Sequence, residues 1–440
     1  MGTLASSLAE GRAEERLPDK KPLLTRAEAH AEAERCLYCT DAPCIQACPT
    51  TIDIPTFIKK IASGNVRGSA RTILEQNLLG YSCSRVCPVE ELCAGSCVYE
   101  GWGREPIQIG RLQRFATEQA LGEQGLRALY TPKPRNGRKV ACIGAGPASL
   151  AFAGTLALEG VEAVLFEKRA VPGGLNATGI APYKLPAKEA VREVEWVLEL
   201  GVRIEHAHVG EGGKRGAELL AGYDAVFVGV GLGEDSRLGV PGEDGPGVVG
   251  AVDWIEQMKL DPKANGPLGR VVVVGGGNTA IDVARECAQL GATEVAMVYR
   301  RGRDAMSGYA HELEGARKEG VRLVEQATPV AFLRDPAGKL VGVRLARTEG
   351  GKPVAGSEYE IPCDLAVLAI GQAKLRAIAA EFPGVELDAR GCVVVDEATR
   401  RTKNPKVFAG GDCVNGGTEV VNAVAEGRDA ARFLIAEWSK

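Results

Sequence analysis

The sequence has no run of about 18 apolar residues, the length that a membrane-spanning helix requires. Its first residues, MGTLASSLAEGRAEERLPDKK, also lack the apolar core of a secretory signal peptide. Neither sign of charge dominates, because 53 Lys and Arg stand against 57 Asp and Glu and leave a net charge of −4. Such a balance gives no basic surface for nucleic acid or for an anionic membrane. We therefore expect a cytoplasmic protein whose partners are small molecules and other proteins.

Cysteine is abundant but unevenly placed. Eight of the 13 cysteines lie between Cys36 and Cys97, and in a large chain without a secretion signal such a cluster indicates metal or redox chemistry. The other five stand singly in apolar or glycine-rich segments, where a buried and inert thiol is the usual meaning. These five are Cys142, Cys287, Cys363, Cys392 and Cys413.

The length of 440 residues and the 45% apolar content predict two or three domains. Residues 1–25 are charged and rich in alanine, and we interpret them as an N-terminal tail. Thr25 and Glu28 form a capping-box pattern, which predicts a helix start. Residues 26–136 read as a helical domain punctuated by cysteine, and the segment TPKPRNGRK at 131–139 has the composition of a linker.

After the linker the pattern changes to strand, glycine-rich turn, helix and strand. The segments KVACIGAGPASLAFAGTLALEG and RVVVVGGGNTAIDVARECAQLG both show it, and each is followed by another apolar strand. This order is typical of doubly wound parallel sheets that bind dinucleotides. The sequence therefore predicts an α/β fold in which a helical N-terminal domain precedes two Rossmann-like domains.

The first of these units offers a site for a nucleotide pyrophosphate. Gly144 permits the tight turn, Gly146 allows close backbone approach, and the helix that begins at Pro147 and Ala148 points its amides at the phosphate. Glu167 ends the next strand, where a carboxylate can bind the adenosine ribose. A solvated charge at a strand end is the alternative interpretation of Glu167.

The second unit repeats the fingerprint with a different strand end. Its three fingerprint positions are Gly275, Gly277 and Ala280, and its helix start carries the polar Asn278 and Thr279. An NAD-binding unit usually places an acid at the end of its second strand, but this sequence has Arg300 and Arg301 there. Guanidinium groups suit a 2′-phosphate, which favours NADPH, although two solvated arginines on a loop would give the same pattern.

The clustered cysteines have the spacing Cys36-x2-Cys39-x4-Cys44-x3-Cys48-Pro and Cys83-x3-Cys87-Pro-x4-Cys93-x3-Cys97. Four ligands per cluster would make two [4Fe-4S] centres. A zinc module also uses close cysteine pairs, but it has no reason to stand beside two redox nucleotide units.

The segments CDLAVLAIGQ at 363–372 and KVFAGGDCVNGGTEVVNAVAEGRDAA near the C-terminus resemble signatures of two-dinucleotide flavoprotein reductases. That resemblance implies that the nicotinamide domain, 252–372, is inserted into an FAD domain formed by 137–251 and 373–440. It also implies flavin-binding roles for a turn after the first unit and for the C-terminal motif and helix start. The residues are Gly174, Leu175, Gly411, Asp412, Thr418, Glu419 and Val420.

The cysteine pattern, with CLYCTDAPCIQACPTTIDIPTFI, LGYSCSRVCPVEELCAGSC and PIQIGRLQRFA, resembles the N-terminal half of dihydropyrimidine dehydrogenases and their separate bacterial flavin subunit. That family interleaves its ligands. One cluster would take Cys36, Cys39, Cys44 and Cys97, and the other would take Cys48, Cys87, Cys93 and the side chain of Gln113, which leaves Cys83 over. Val86 matches a flavin-contacting position, whereas Lys184 stands where related chains often carry Arg.

The resemblance also implies what this chain lacks. In the family, pyrimidine reduction occurs in an FMN- and iron-sulfur-containing barrel, for which the 440 residues leave no room. We therefore expect a hetero-oligomer in which this chain passes electrons from NAD(P)H, through FAD and two [4Fe-4S] clusters, to a barrel subunit. No side chain of this chain is expected to act as a catalytic acid or nucleophile. A reductase like the glutamate synthase small subunit, and a zinc-stabilised assembly protein, are the alternatives.

Overall fold

The computed structural model describes residues 4–122, 124–264 and 266–440. It confirms the α/β class, with a helical N-terminal domain followed by two parallel sheets. Among the described residues, no helix has both the length and the apolar character required to cross a membrane.

The N-terminal domain consists of seven helices that surround a small apolar core. The predicted capping box is present, since Thr25 and Glu28 satisfy each other's backbone amides at the start of the first helix. Phe57, Leu112 and Phe115 are buried at the centre of the domain. The helices are α1 (Arg26–Glu34), α2 (Pro43–Gln46), α3 (Ile54–Ala62), α4 (Val66–Leu74), α5 (Gly80–Val86), α6 (Val98–Gly101) and α7 (Ile109–Leu121).

The first nucleotide-binding unit begins directly after the linker. Its four strands are parallel, and they are almost entirely apolar near the centre because helices cover both faces of the sheet. The elements are β1 (Lys139–Ile143), α8 (Pro147–Leu158), β2 (Glu162–Glu167), α9 (Leu175–Thr178), α10 (Ala187–Leu198), β3 (Arg203–His206), α11 (Gly216–Gly222) and β4 (Ala225–Val228).

The second unit combines a parallel sheet with an antiparallel one. The elements are β5 (Val248–Gly250), α12 (Ala251–Leu260), β6 (Arg270–Val274), α13 (Asn278–Gln289), β7 (Glu294–Tyr299), α14 (Ala310–Lys318), β8 (Arg322–Glu325), β9 (Ala327–Arg334), β10 (Leu340–Glu349), β11 (Lys352–Pro353), β12 (Tyr359–Pro362) and β13 (Leu365–Leu368). The parallel strands lie in the order β5-β13-β6-β7-β8, and the antiparallel sheet is built on β10, which pairs with β9, β11 and β12.

The chain then returns to the first sheet, so the second unit is inserted in the first. The returning elements are α15 (Ala377–Ala380), β14 (Val407–Ala409), α16 (Asp412–Asn415) and α17 (Val420–Trp438). β14 pairs with β4 and completes the order β14-β4-β1-β2-β3. β5 precedes residue 252 yet pairs with β13, so the second sheet begins slightly before the boundary expected from the sequence. Such a short strand gives no periodic signal.

The segment before α1 packs along all three parts of the molecule. Within its described residues, 4–25, the regular structure is limited to two 3-10 turns, Ala5–Ser7 and Ala13–Arg16. Ala13 is fully buried in the core of the second unit, and Glu14 accepts a hydrogen bond from the Ala187 amide at 2.8 Å. The Lys20 amide donates to the Tyr183 carbonyl at 3.0 Å. The expected tail is therefore a strap that crosses the nucleotide units before it reaches the helical domain.

Candidate functional site

A cavity of about 1900 Å³ lies where the two nucleotide-binding units meet the end of α5. Pockets for a single small ligand usually measure roughly 300–1000 Å³, so this cavity has room for two dinucleotides. Twenty of the residues expected from the sequence line it. They are Val86, Gly144, Gly146, Pro147, Ala148, Glu167, Gly174, Leu175, Lys184, Gly275, Gly277, Asn278, Thr279, Arg300, Arg301, Gly411, Asp412, Thr418, Glu419 and Val420.

Ala280 is the one member of the expected nucleotide set that does not line the cavity. Its side chain is fully buried, and a Cβ atom placed on Gly275 would lie 3.2 Å from its Cβ. The third fingerprint position therefore packs helix against strand and does not itself face a ligand.

The turn between β1 and α8 is shaped for close approach of a phosphate. Gly144 has a φ of +86°, and a Cβ there would lie 2.7 Å from the Gly229 carbonyl oxygen, so only glycine fits. Gly146 forms the N-cap of α8, and no side chain caps that helix. The first amides of α8 therefore remain available to an anion in the cavity.

Glu167 is held in one orientation at the end of β2. Its carboxylate accepts hydrogen bonds from the Ala145 amide at 2.8 Å and from the Arg169 amide at 2.7 Å, and its exposed fraction is only 7%. The side chain is thus not a freely solvated charge, which was the alternative interpretation. It ties the phosphate turn to the strand end while it lines the cavity.

The C-terminal motif brings a helix start to the same cavity. Asp412 accepts a long hydrogen bond of 3.4 Å from the Thr418 amide, and burial raises its pKa. Glu419 is the N-cap of the 19-residue helix α17, whose first amides have no side-chain cap. An N-terminus of this kind stabilises negative charge, which develops on a flavin ring when it is reduced.

The second unit presents its own turn on the opposite side. Gly277 is the N-cap of α13, again without a side-chain cap, and Asn278 accepts a hydrogen bond from the Tyr309 amide at 2.9 Å. Arg300 and Arg301 end β7 with exposed side chains, and the Arg301 guanidinium stacks 5.6 Å from the Tyr299 ring centroid. Neither guanidinium forms an ion pair with any of the described residues.

Lys184 lines the cavity and forms ion pairs that join the two nucleotide-binding units. Its Nζ lies 2.6 Å from an Asp282 carboxylate oxygen and 3.2 Å from a Glu312 oxygen. Burial alone would lower the pKa of Lys184, but the two carboxylates raise it overall. Lys20 of the strap also forms an ion pair with Glu312.

Four of the clustered cysteines share a small apolar pocket in the helical domain. Cys36, Cys39, Cys44 and Cys97 line it together with the apolar side chains of α3 and of the segment before α7. Burial raises the pKa of the Cys44 thiol to about 12, and the charges of the other three thiols add to this effect. The four cysteines that the family resemblance assigns to one cluster therefore line one pocket.

A second cysteine group, formed by Cys48, Cys87 and Cys93, lies near the end of α5. Burial raises the pKa of Cys93, and the nearby thiols of Cys87 and Cys48 raise it further. Gln113 is buried on α7, where its Nε2 donates to the Gly80 carbonyl at 2.8 Å. Its Oε1 has no partner among the described residues, so it is available to a metal.

Cys83 lies beside this second group. It is buried one turn before Cys87, and a hydrogen bond between the two thiols is the largest cause of the raised pKa of Cys87. Over the ranges described, no three Cys, His, Asp or Glu side chains converge on a single metal ion. Cys87 and Val86 also line the large cavity, so the second group borders the nucleotide sites.

Sequence reasoning missed several residues that the structure places at the cavity. Lys20, Lys21, Arg85, Asp282, Tyr309 and Glu312 all line it. Tyr309 donates from its hydroxyl to the Glu419 carboxylate at 2.6 Å and so joins the second unit to the start of α17. None of these residues belongs to a recognisable motif, because each reaches the cavity only through packing between domains.

Two family models match the chain. Residues 138–427 match "Pyridine nucleotide-disulphide oxidoreductase", and residues 13–125 match "Dihydroprymidine dehydrogenase domain II, 4Fe-4S cluster". The chain belongs to this oxidoreductase family. It carries the 4Fe-4S domain at its N-terminus and is an NAD(P)H-dependent flavin oxidoreductase with FAD, NAD(P)H and [4Fe-4S] clusters as cofactors. The expected family, fold and cofactors are confirmed, and the zinc alternative is set aside.

Relatives within the family span nearly the whole chain. The glutamate synthase [NADPH] small chain of Escherichia coli is 35% identical and covers 95% of this chain and 96% of its own length. The NAD-dependent dihydropyrimidine dehydrogenase subunit PreT of E. coli is 37% identical with the same coverage. The NADP(+)-dependent formate dehydrogenase subunit beta of Moorella thermoacetica is 37% identical over 89% of this chain and 59% of its own.

Solved structures show the same fold. The thioredoxin reductase of T. acidophilum has a TM-score of 0.56 at 21% identity, covering 69% of this chain and 100% of that one. FprA from Mycobacterium tuberculosis has a TM-score of 0.55 at 22% identity, covering 70% and 85%. Two of the relatives reported above, PreT and the formate dehydrogenase subunit beta, are named as subunits of larger enzymes.

Proposed function

We propose that this chain is the electron-input subunit of a hetero-oligomer. It would supply electrons from NAD(P)H to an FMN- and iron-sulfur-containing barrel subunit that reduces the 5,6 double bond of uracil or thymine, or runs in reverse. The proposal rests chiefly on one observation. The turns of both nucleotide units and the Val86-Cys87 step line a single cavity, so the second cysteine group borders the place where the flavin binds. The similarity to PreT supports a pyrimidine-reducing partner.

In this proposal the residues of the chain bind and position the two nucleotide cofactors. Bound FAD supplies the conversion of a two-electron hydride into single electrons that iron-sulfur clusters can accept. We propose that the turn of Gly144 and Gly146 and the start of α17 hold the flavin, and that the turn at Gly277 holds the nicotinamide nucleotide. The uncapped helix starts at these places would bind the pyrophosphates.

We propose that the clusters are held in the interleaved sets. Cys36, Cys39, Cys44 and Cys97 would hold one cluster, since they share one pocket. Cys48, Cys87, Cys93 and Gln113 would hold the other, since the thiols of Cys87 and Cys48 lie near that of Cys93 and the Gln113 Oε1 has no hydrogen-bond partner among the described residues. The glutamate synthase small chain is equally similar overall, so the alternative is that this chain serves a different flavoenzyme.

A reconstitution experiment distinguishes the two candidate partners. The purified chain is combined either with a candidate FMN barrel subunit and uracil or with an amidotransferase-type flavoenzyme, glutamine and 2-oxoglutarate, and NAD(P)H oxidation is followed. We expect uracil-dependent oxidation only with the barrel subunit and none with the chain alone. Coupling only to the amidotransferase, or uracil reduction by the chain alone, would contradict the proposal.

Cofactor choice is tested at the end of β7. Arg300 and Arg301 have exposed guanidinium groups that line the cavity, and a charge-assisted contact with a 2′-phosphate commonly contributes about 1.5–3 kcal/mol. We expect Arg300→Ala or Arg301→Ala to lower kcat/KM for NADPH about tenfold or more and to affect NADH less. Arg317→Ala, an exposed arginine on α14, is the matched control. Equal losses for the two cofactors would show that these arginines do not bind the 2′-phosphate.

A further inference from the structure

Lys21 of the N-terminal strap touches both the cavity and the second cysteine group. Its side chain lines the cavity together with Val86 and Cys87. Its Nζ donates a hydrogen bond of 2.8 Å to the Cys87 carbonyl oxygen. The Lys21 amine is therefore placed directly beside a proposed cluster ligand, on the side that faces the cavity.

The backbone around Lys21 is fixed by the helix that carries Gln113. The Arg114 guanidinium donates to the Lys21 carbonyl oxygen, and the Arg111 Nε donates to the Pro22 carbonyl at 3.2 Å. These two arginines flank Gln113 on α7. The helix that supplies the proposed amide ligand thus also holds the lysine in place, and the side chain has little freedom to move away.

The Lys21 amine lies where it can respond to charge on the second cysteine group. Its Nζ is 2.8 Å from the Cys87 carbonyl oxygen, and Glu90 lines the same cavity. Reduction of a cluster adds one negative charge, and in a partly buried site an adjacent ammonium group stabilises that charge more strongly than it would in water. A cluster ligated by three thiolates and one neutral amide is also less negative than one with four thiolates.

We propose that Lys21 is a positioning residue that raises the reduction potential of the cluster held by Cys48, Cys87, Cys93 and Gln113, so that this cluster accepts electrons from the flavin. The inference rests on the proposed function, because it assumes that the second cysteine group holds a [4Fe-4S] cluster next to the flavin. It assigns a role in electron transfer to the segment that the sequence suggests is only a tail.

Three substitutions separate the charge from the hydrogen bond. Lys21→Met removes both, Lys21→Gln removes the charge and keeps a donor, and Lys21→Arg keeps both. Lys133→Met, which removes an exposed lysine that pairs with Glu159 on the surface, controls for net charge. Each variant is purified with its cofactors, and the midpoint potentials of both clusters are measured by mediated redox titration with electron paramagnetic resonance. The signal that disappears in Cys93→Ser identifies the second cluster.

We expect Lys21→Met and Lys21→Gln to shift the midpoint potential of the second cluster to more negative values and to leave the first cluster unchanged. Lys21→Arg and Lys133→Met should match the wild type. Equal potentials in all variants, an equal shift of both clusters, or wild-type behaviour of Lys21→Gln would overturn the proposal. If Lys21→Met fails to load cofactors, the comparison of Lys21→Gln with Lys21→Arg still shows whether the charge of Lys21 affects the midpoint potential of the second cluster. A wild-type chain without two clusters would instead refute the proposed function.

Discussion

Glu193 is a buried carboxylate that holds the first turn of α5. It lies on α10 with 2% of its surface exposed, and its Oε1 accepts hydrogen bonds of 3.1 Å from the backbone amides of Tyr81 and Ser82. Burial raises its pKa to about 7, although these bonds and Arg85 act in the opposite direction. A single residue of the first nucleotide-binding unit thus fixes α5, the helix that ends one residue before Cys87.

The raised pKa of Glu193 makes stability depend on pH. Between its unfolded pKa, about 4.5, and its folded pKa, about 7, the folded chain binds more protons than the unfolded chain, so stability falls as pH rises through this window. The shift corresponds to about 3 kcal/mol. We expect Glu193→Gln, which keeps an acceptor oxygen without a charge, to reduce the loss of Tm between pH 5 and pH 8 in thermal unfolding.

The matched control for Glu193→Gln is Glu199→Gln, because Glu199 is exposed at the end of the same helix. The control should keep the pH dependence of the wild type. If Glu193→Gln loses as much Tm as the wild type over the same pH range, the carboxylate does not retain its proton in the folded chain.

At the scale of elements, α5 and α7 each carry one candidate for the fourth ligand of the proposed second cluster. α5 ends at Val86, one residue before Cys87, and Pro88 prevents the helix from continuing. Cys83 is on α5 itself, and its thiol lies beside that of Cys87. Gln113 is on α7 and donates from its Nε2 to the Gly80 carbonyl oxygen at the start of α5.

Cys83 and Gln113 give opposite expectations on substitution. We expect Cys83→Ser to retain both clusters, because the proposed ligand sets leave this buried thiol out. Gln113→Ala should lose the second cluster, which is roughly four iron atoms, or lower its stability toward oxygen. Iron and acid-labile sulfide analysis of the purified proteins measures this. Iron loss in Cys83→Ser with none in Gln113→Ala would reverse the assignment.

The sequence predicts a structural feature well where residues close together in the chain determine it. The turns at Gly144 and Gly277 follow from neighbouring residues, and both occur where the pattern predicts them. Cys97 joining Cys36 is a contact between distant segments, and only family resemblance suggested it. The strap and Lys21 were missed because a segment without periodicity reveals nothing of its path, which is set by contacts with Glu312 and α7.

At the scale of the whole molecule, buried charges join the two nucleotide units. Lys259 is fully buried on α12 and donates to the backbone carbonyls of Asn176, Ile180 and Leu185, all in the flavin unit, at 2.8–3.0 Å. Tyr183 donates to Asp282 at 2.6 Å across the same interface. These contacts hold the two nucleotide turns at one cavity, which hydride transfer between bound cofactors requires.

We propose that one chain accepts hydride from NAD(P)H and passes single electrons into its own clusters. The decisive experiment is anaerobic addition of NADH or NADPH to the purified chain, followed by visible absorption and electron paramagnetic resonance. We expect the flavin absorption to bleach, about eight iron atoms to be present per flavin, and a reduced cluster signal to appear without any partner protein. A flavin that bleaches while both fully assembled clusters stay oxidised at excess reductant and equilibrium, or a chain that binds zinc in place of iron, would contradict it.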